Sequence, residues 1–154
     1  MNSKNKPDIR RSALPERMLH LMLRVGDLHR SITFYTQIMG MRVLRTLDQP
    51  TDKYTLVFLG YGEESDTCVL ELTYNYGVSE YEPGTGYGHI AIGVIDCYKV
   101  CHDIKTQGGK ITREPFPLKR TNEIIAFIED PDGYPIELIQ LTSAYGSGRV
   151  KTRN

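Results

Sequence analysis

The chain carries one architecture twice. His20 and His89 stand sixty-nine positions apart, and each opens a stretch with a period of two, His20-Leu-Met-Leu-Arg-Val-Gly-Asp27 and His89-Ile-Ala-Ile-Gly-Val-Ile-Asp96. Alternation of this kind marks a half-buried strand, and a recurring unit means that the fold must be built from two copies of one supersecondary element. Asp27 and Asp96 are suited to capping a helix that follows. The amphipathic segments 28–39 and 97–107 are read as those helices, with Gly40 and Gly109 as their stops. Three strand-like segments complete each unit: 42–46, 55–59 and 68–74 in the first, 110–113, 123–128 and 135–141 in the second. The expected fold class is α+β, two βαβββ repeats.

The copies run in step. Phe58 and Phe127 each lie 38 residues after their histidine; Glu71 follows Phe58 by 13 and Glu137 follows Phe127 by 10. The three-residue difference falls in one surface loop, 60–67, where extra length costs little. Its counterpart is the tight Asp130-Pro-Asp-Gly133 turn, in which Pro131 presets φ and Gly133 supplies a positive φ. Glu71 and Glu137 are thus predicted to be equivalent. The expected boundaries are a disordered tail over 1–17, a first unit over 18–80, a linker over 81–88 rich in Gly and Pro, a second unit over 89–142 and a flexible tail over 143–154. The linker is also a candidate hinge for pairing with another chain. Basic residues and serines in the first tail leave a short organelle-targeting peptide as a rival reading.

Residues two apart on a strand share a face. His20, Met22 and Arg24 therefore face away from Leu21, Leu23 and Val25, which are expected against the helices. Glu71, Thr73 and Asn75 lie opposite Leu70 and Leu72, His89 opposite Ile90 and Ile92, and Glu137 opposite Ile136 and Leu138. Two imidazoles and two carboxylates on the concave side would be costly to desolvate unless a cation neutralised them. A single histidine at a strand start is usually structural. The recurrence of His then Glu on matching faces makes His20, Glu71, His89 and Glu137 candidate ligands of a divalent metal. His29 and His102, inside the helical segments, are expected at the surface.

Lys plus Arg equals Asp plus Glu, 19 each, so there is no global field to gather nucleic acid or an anionic membrane. No stretch is long and apolar enough to span a bilayer. Cys68, Cys97 and Cys101 form neither an even disulfide set nor a CxxC pair, which suits a reducing, cytoplasmic setting and packed thiols. A small-molecule partner is expected, with no nucleic acid and no membrane.

The runs Met18-Leu-His-Leu-Met-Leu-Arg-Val-Gly-Asp27, Leu70-Glu-Leu-Thr-Tyr-Asn-Tyr-Gly77, Gly88-His-Ile-Ala-Ile92 and Ala126-Phe-Ile-Glu-Asp-Pro-Asp-Gly-Tyr-Pro-Ile-Glu-Leu138 resemble glyoxalase I, the lactoylglutathione lyases of the vicinal-oxygen-chelate superfamily. The likeness covers roughly 18–141. It implies half-barrels, with the barrel completed across a homodimer whose sites lie at the interface. It assigns His20, Glu71, His89 and Glu137 to one divalent ion per site. Short members of the family lacking extra internal segments imply Ni²⁺, with Co²⁺ or Zn²⁺ as alternatives.

The implied reaction isomerises the hemithioacetal of methylglyoxal and glutathione to S-D-lactoylglutathione. Glu137 is expected as the proton-shuttling base and Glu71 as its near-symmetric partner. Arg24 and Asn75 match family residues that grip the γ-glutamyl end, and Lys119 stands where the family places a cation for the glycyl carboxylate. Thr85 departs from the arginine that some members carry four residues before the second histidine, which lightens the γ-glutamyl grip. Lys119 and Arg120 form a basic pair that argues for glutathione over trypanothione. Superfamily rivals are an acyl-CoA epimerase, which generally has glutamine at the Glu71 position, and a metal-free drug-sequestering module, which lacks the four ligands.

Overall fold

The computed structural model describes residues 15–121 and 123–142. The first unit runs β1 (His20–Arg24), α1 (Leu28–Thr33) continuing as a π-helical turn (Phe34–Ile38), β2 (Arg42–Gln49), β3 (Tyr54–Gly60) and β4 (Val69–Asn75). The second runs β5 (Ile90–Val94), α2 (Cys97–Thr106), β6 (Lys110–Pro117), β7 (Ile124–Glu129) and β8 (Pro135–Gln140). Each unit makes one open four-stranded sheet, in the orders β1-β4-β3-β2 and β5-β8-β7-β6. The first strand of each unit pairs in parallel with its last, and the remaining neighbours are antiparallel. The α+β class and the repeated βαβββ order are those expected.

Local chemistry explains the corners. Asp27 and Asp96 both take extended backbone and accept from the main-chain N–H three residues on, Arg30 and Lys99. Several expected boundaries move. The helix over 28–39 is six α-helical residues followed by a π turn, closed by Met39 N donating to Phe34 O at 3.0 Å. The wider turn accompanies burial of both Phe34 and Tyr35, consecutive residues that a regular helix would splay. Gly108, at φ 81°, supplies the left-handed stop after α2. Gly109 has another reason to lack a side chain, since a Cβ there would lie 2.4 Å from Ile104 Cγ2. β2 and β6 extend well past the expected 46 and 113. Both are mostly exposed edge strands, so their polar sequences conceal the ladder, and an edge tolerates Pro115 and Pro117.

The core lies between the helices and the inner faces of both sheets, with Leu23, Val25, Leu59, Leu72, Ile104, Ile136 and Leu138 almost fully buried. Leu21, expected there too, is 36% exposed because β1 is an edge strand. Cys97 and Cys101 are buried and free, and burial first of all pushes the Cys97 thiol up to about 11, which keeps it an inert packing group. Of the N-terminal tail only 15–17 are described, and Arg17 is tied down, donating to Glu64 O at 2.6 Å. The rest of that tail and the segment 143–154 lie outside the described residues.

The two units are interlocked through the Asp130–Gly133 turn. Asp130 accepts from Tyr35 Oη at 2.8 Å and from two backbone N–H groups, of Asp132 and Tyr134; burial nevertheless raises its carboxyl above the ordinary range. Asp132 reaches the β1–α1 corner, accepting from Gly26 N and Ser31 Oγ at 2.9 Å each and pairing with Arg30. Tyr134 Oη donates to Arg24 O. Asp132→Ala strands a backbone donor and a hydroxyl at once, so it should destabilise the chain by about 1–3 kcal/mol. The check is a lower denaturant midpoint at unchanged m-value; an unmoved midpoint would show that water replaces the carboxylate.

Candidate functional site

Each sheet sets one imidazole beside one carboxylate, held by equivalent strand positions. Glu71 on β4 is paired with Met22 of β1 and Phe58 of β3; Glu137 on β8 is paired with Ala91 of β5 and Phe127 of β7. His20 begins β1 and His89 directly precedes β5, so each ring reaches its glutamate diagonally across the parallel ladder. His20 Nε2 lies 3.1 Å from Glu71 Oε2, and His89 Nε2 lies 3.0 Å from Glu137 Oε2. Phe58 and Phe127 set their edges against the two imidazoles at centroid distances of 5.7 and 5.8 Å, with the same 79° between planes. In both pairs the carboxylate is nearly buried, at 12% and 14% exposure, while the imidazole is about 40% open to solvent.

The four expected ligands do not converge within one chain. They form two separate pairs, and among the described residues no group of three or more His, Cys, Asp or Glu side chains stands together. The reason is topological: the two pairs lie on separate four-stranded sheets that share no strand. Each pair offers one borderline nitrogen and one hard oxygen, a donor set that suits a first-row divalent cation. Two such pairs brought face to face would leave positions free on a six-coordinate ion.

The copies are not chemically identical. Thr73, two residues beyond Glu71 on the same face, donates its hydroxyl to Glu71 Oε1 at 3.1 Å. The equivalent of Thr73 in the second unit is Ile139, so Glu137 lacks that donor. Glu137 instead lines a cavity of about 500 Å³ with Lys119, Arg113, Phe116 and Phe127. Lys119 is exposed in the β6–β7 turn. Arg24 ends β1 with its backbone carbonyl held by Tyr134. Asn75 ends β4 and donates its amide to Tyr81 Oη at 2.9 Å, leaving its carbonyl oxygen open.

Sequence reasoning did not single out Thr73 as a partner of Glu71, although its period-two spacing was the available signal. Tyr81, Arg45 and Arg113 had no such signal. No helix among the described residues is long and apolar enough to cross a membrane.

Comparison with known proteins agrees with this fold. Residues 17–138 match the profile of the Glyoxalase/Bleomycin resistance protein/Dioxygenase superfamily. The chain is 60% identical over 129 residues to a probable lactoylglutathione lyase of Vibrio cholerae, covering 84% of this chain and 94% of that protein. It is 56% identical over 124 residues to the lactoylglutathione lyase of Escherichia coli O157:H7, covering 80% and 92%. Among solved structures, glyoxalase I from Zea mays is 56% identical with a TM-score of 0.79 over 82% of this chain; the chain spans only 45% of the maize protein. The trypanothione-dependent glyoxalase I of Leishmania major is 54% identical with a TM-score of 0.74, covering 81% and 86%. With two βαβββ sheets, a His–Glu pair in each and these likenesses over most of its length, the chain belongs to the Glyoxalase/Bleomycin resistance protein/Dioxygenase superfamily, in its glyoxalase I branch.

Proposed function

We propose that this chain is a lactoylglutathione lyase that isomerises the methylglyoxal–glutathione hemithioacetal to S-D-lactoylglutathione. The observation that carries the reading is the duplicated His–Glu pair, matched to 0.1 Å in distance and in aromatic support. His20, Glu71, His89 and Glu137 would hold one divalent ion per site, His20 and Glu71 from one protomer and His89 and Glu137 from its partner in a homodimer. When bound, the ion supplies a Lewis acid that stabilises the negative charge developing as the substrate becomes an enediolate.

The chain's own residues handle the proton. Glu137 takes it from the carbon bearing sulfur and returns it to the adjacent carbon. Thr73 anchors the alternative carboxylate, Glu71, which favours Glu137 for the mobile role. Arg24 offers a planar fork for the γ-glutamyl carboxylate and Asn75 an open carbonyl for its ammonium. Lys119 serves the glycyl carboxylate. The three unpaired cysteines suit a cytoplasmic location.

Nickel is the preferred metal, because the chain lacks the extra internal segments of the zinc-type enzymes. Protein stripped by a chelator should lose thioester formation, and Ni²⁺ should restore it about tenfold better than Zn²⁺, geometry and not raw affinity making the choice. Restoration by Zn²⁺ but not Ni²⁺ would reverse the metal assignment. No thioester with any of Ni²⁺, Co²⁺ or Zn²⁺ would reject the function.

A further inference from the structure

Phe58, the ring beside His20, is 3% exposed, whereas its duplicate Phe127 beside His89 is only half-buried. An arginine accompanies the difference. Arg45 of β2 pairs with Phe58 in the ladder and lays its guanidinium over that ring, 3.4 Å from the centroid. Arg113 of β6 pairs with Phe127 but stacks on Phe116 instead, at 3.6 Å. The ladders account for the divergence: β2 slips once, before Arg45, while β6 slips on both sides of Arg113, and a slip re-aims the side chain beside it.

Arg45 is itself held. Its Nε donates to both oxygens of Glu64, at 3.1 and 2.8 Å. Glu64 lies in the loop 60–67, which is braced from outside and within: Arg17 donates to Glu64 O at 2.6 Å, Arg42 to the Glu63 carboxylate at 3.0 Å, and Glu63 O accepts from Asp66 N and Thr67 N at 3.0 Å each. The tight Asp130–Gly133 turn stands in this place in the second unit, and Arg113 has no carboxylate partner among the described residues. The first unit thus carries a relay from the Glu64 carboxylate through Arg45 and the Phe58 ring to the His20 imidazole. Among the described residues no cation lies over Phe127.

We propose that Arg45 is a positioning residue that acts through Phe58 to orient His20, making His20 and Glu71 the pre-formed half of the metal site. This rests on the metal reading above. A ring capped on one face by a planar, anchored cation is held against rocking, and the imidazole that meets it keeps Nε2 turned toward Glu71 Oε2, 3.1 Å away. Groups that orient a ligand carry a large share of a metal site's affinity. Thr73 fixes the carboxylate of the same half, whereas Ile139 and the uncapped Phe127 leave the His89–Glu137 half without either support. The sign of the effect separates orientation from charge. A guanidinium acting only as a charge repels a nearby cation, so its removal would tighten metal binding; a guanidinium that orients His20 weakens metal binding when removed.

The test is competition between the full chain and a chromophoric chelator for Ni²⁺, Co²⁺ and Zn²⁺ in turn, with the melting temperature of the metal-free protein measured alongside. Wild type, Arg45→Met, Arg45→Lys and Arg113→Met are compared. Arg45→Met should weaken binding of the metal about tenfold, the lower end of what loss of a ligand's orienting partner costs. Arg45→Lys should recover part of that loss, since it returns a cation to the Phe58 face. Arg113→Met, which uncovers Phe116 and not Phe127, should not weaken binding. Unchanged or tighter binding by Arg45→Met would overturn the assignment. So would equal weakening by Arg113→Met, or a weakening matched by a fall in the metal-free melting temperature, which would make Arg45 merely structural. If wild type binds none of the three ions, the metal reading itself falls and takes this inference with it.

Discussion

Glu137→Gln should lower turnover about a thousandfold while leaving the fold and most of the bound metal in place. Removing a general base costs about 10²–10⁴ in rate, and the amide keeps the shape of the side chain and one oxygen that can face a cation. The parallel change Glu71→Gln should cost less. Glu71 is anchored at both ends of its carboxylate, Oε1 by Thr73 and Oε2 near His20, which suits the proposed part of holding the ion. Glu137 has its imidazole neighbour on Oε2 and otherwise faces the cavity. The measurement is kcat for thioester formation together with metal content per chain. If Glu137→Gln retains metal and turns over near the wild-type rate, the base lies elsewhere; if Glu71→Gln is the more damaging with metal retained, the two roles are exchanged.

Two inactive variants should regain activity when mixed. Within a chain the His20–Glu71 and His89–Glu137 pairs stand apart, so one ion can meet all four groups only across two copies. His20→Ala spoils the first-unit half of a site and His89→Ala the second-unit half. In a heterodimer both lesions fall in the same composite site, and the other site is whole. Random exchange of equal amounts should therefore restore about a quarter of wild-type activity, half the dimers being mixed and half the sites in each intact. Each variant alone should be near background, because loss of one ligand leaves too few donors. Demonstrated heterodimers with no recovered activity would place all four ligands within a single chain and reject the shared site.

Sequence alone settled much of this protein. Period-two runs after His20 and His89, aspartates at the caps and matched offsets to Phe58 and Phe127 are local or repeated signals, and they sufficed for the βαβββ order and for setting each histidine and its glutamate on one side of a sheet. The tertiary structure decided what depends on distant partners. β2 and β6 are polar edge strands whose extent follows from the ladder they join, and the π turn at Phe34–Ile38 goes with Tyr35 reaching Asp130, ninety-five residues away. The gathering of the four candidate ligands into two pairs instead of one quartet follows from their lying on two separate sheets. The pairing of Arg45 with Glu64 is likewise decided in space, and Arg113 has no carboxylate partner among the described residues. Hydrophobic period and capping are written residue by residue along the chain, whereas charge pairing and the meeting of faces are properties of space, set only once the sheets are packed.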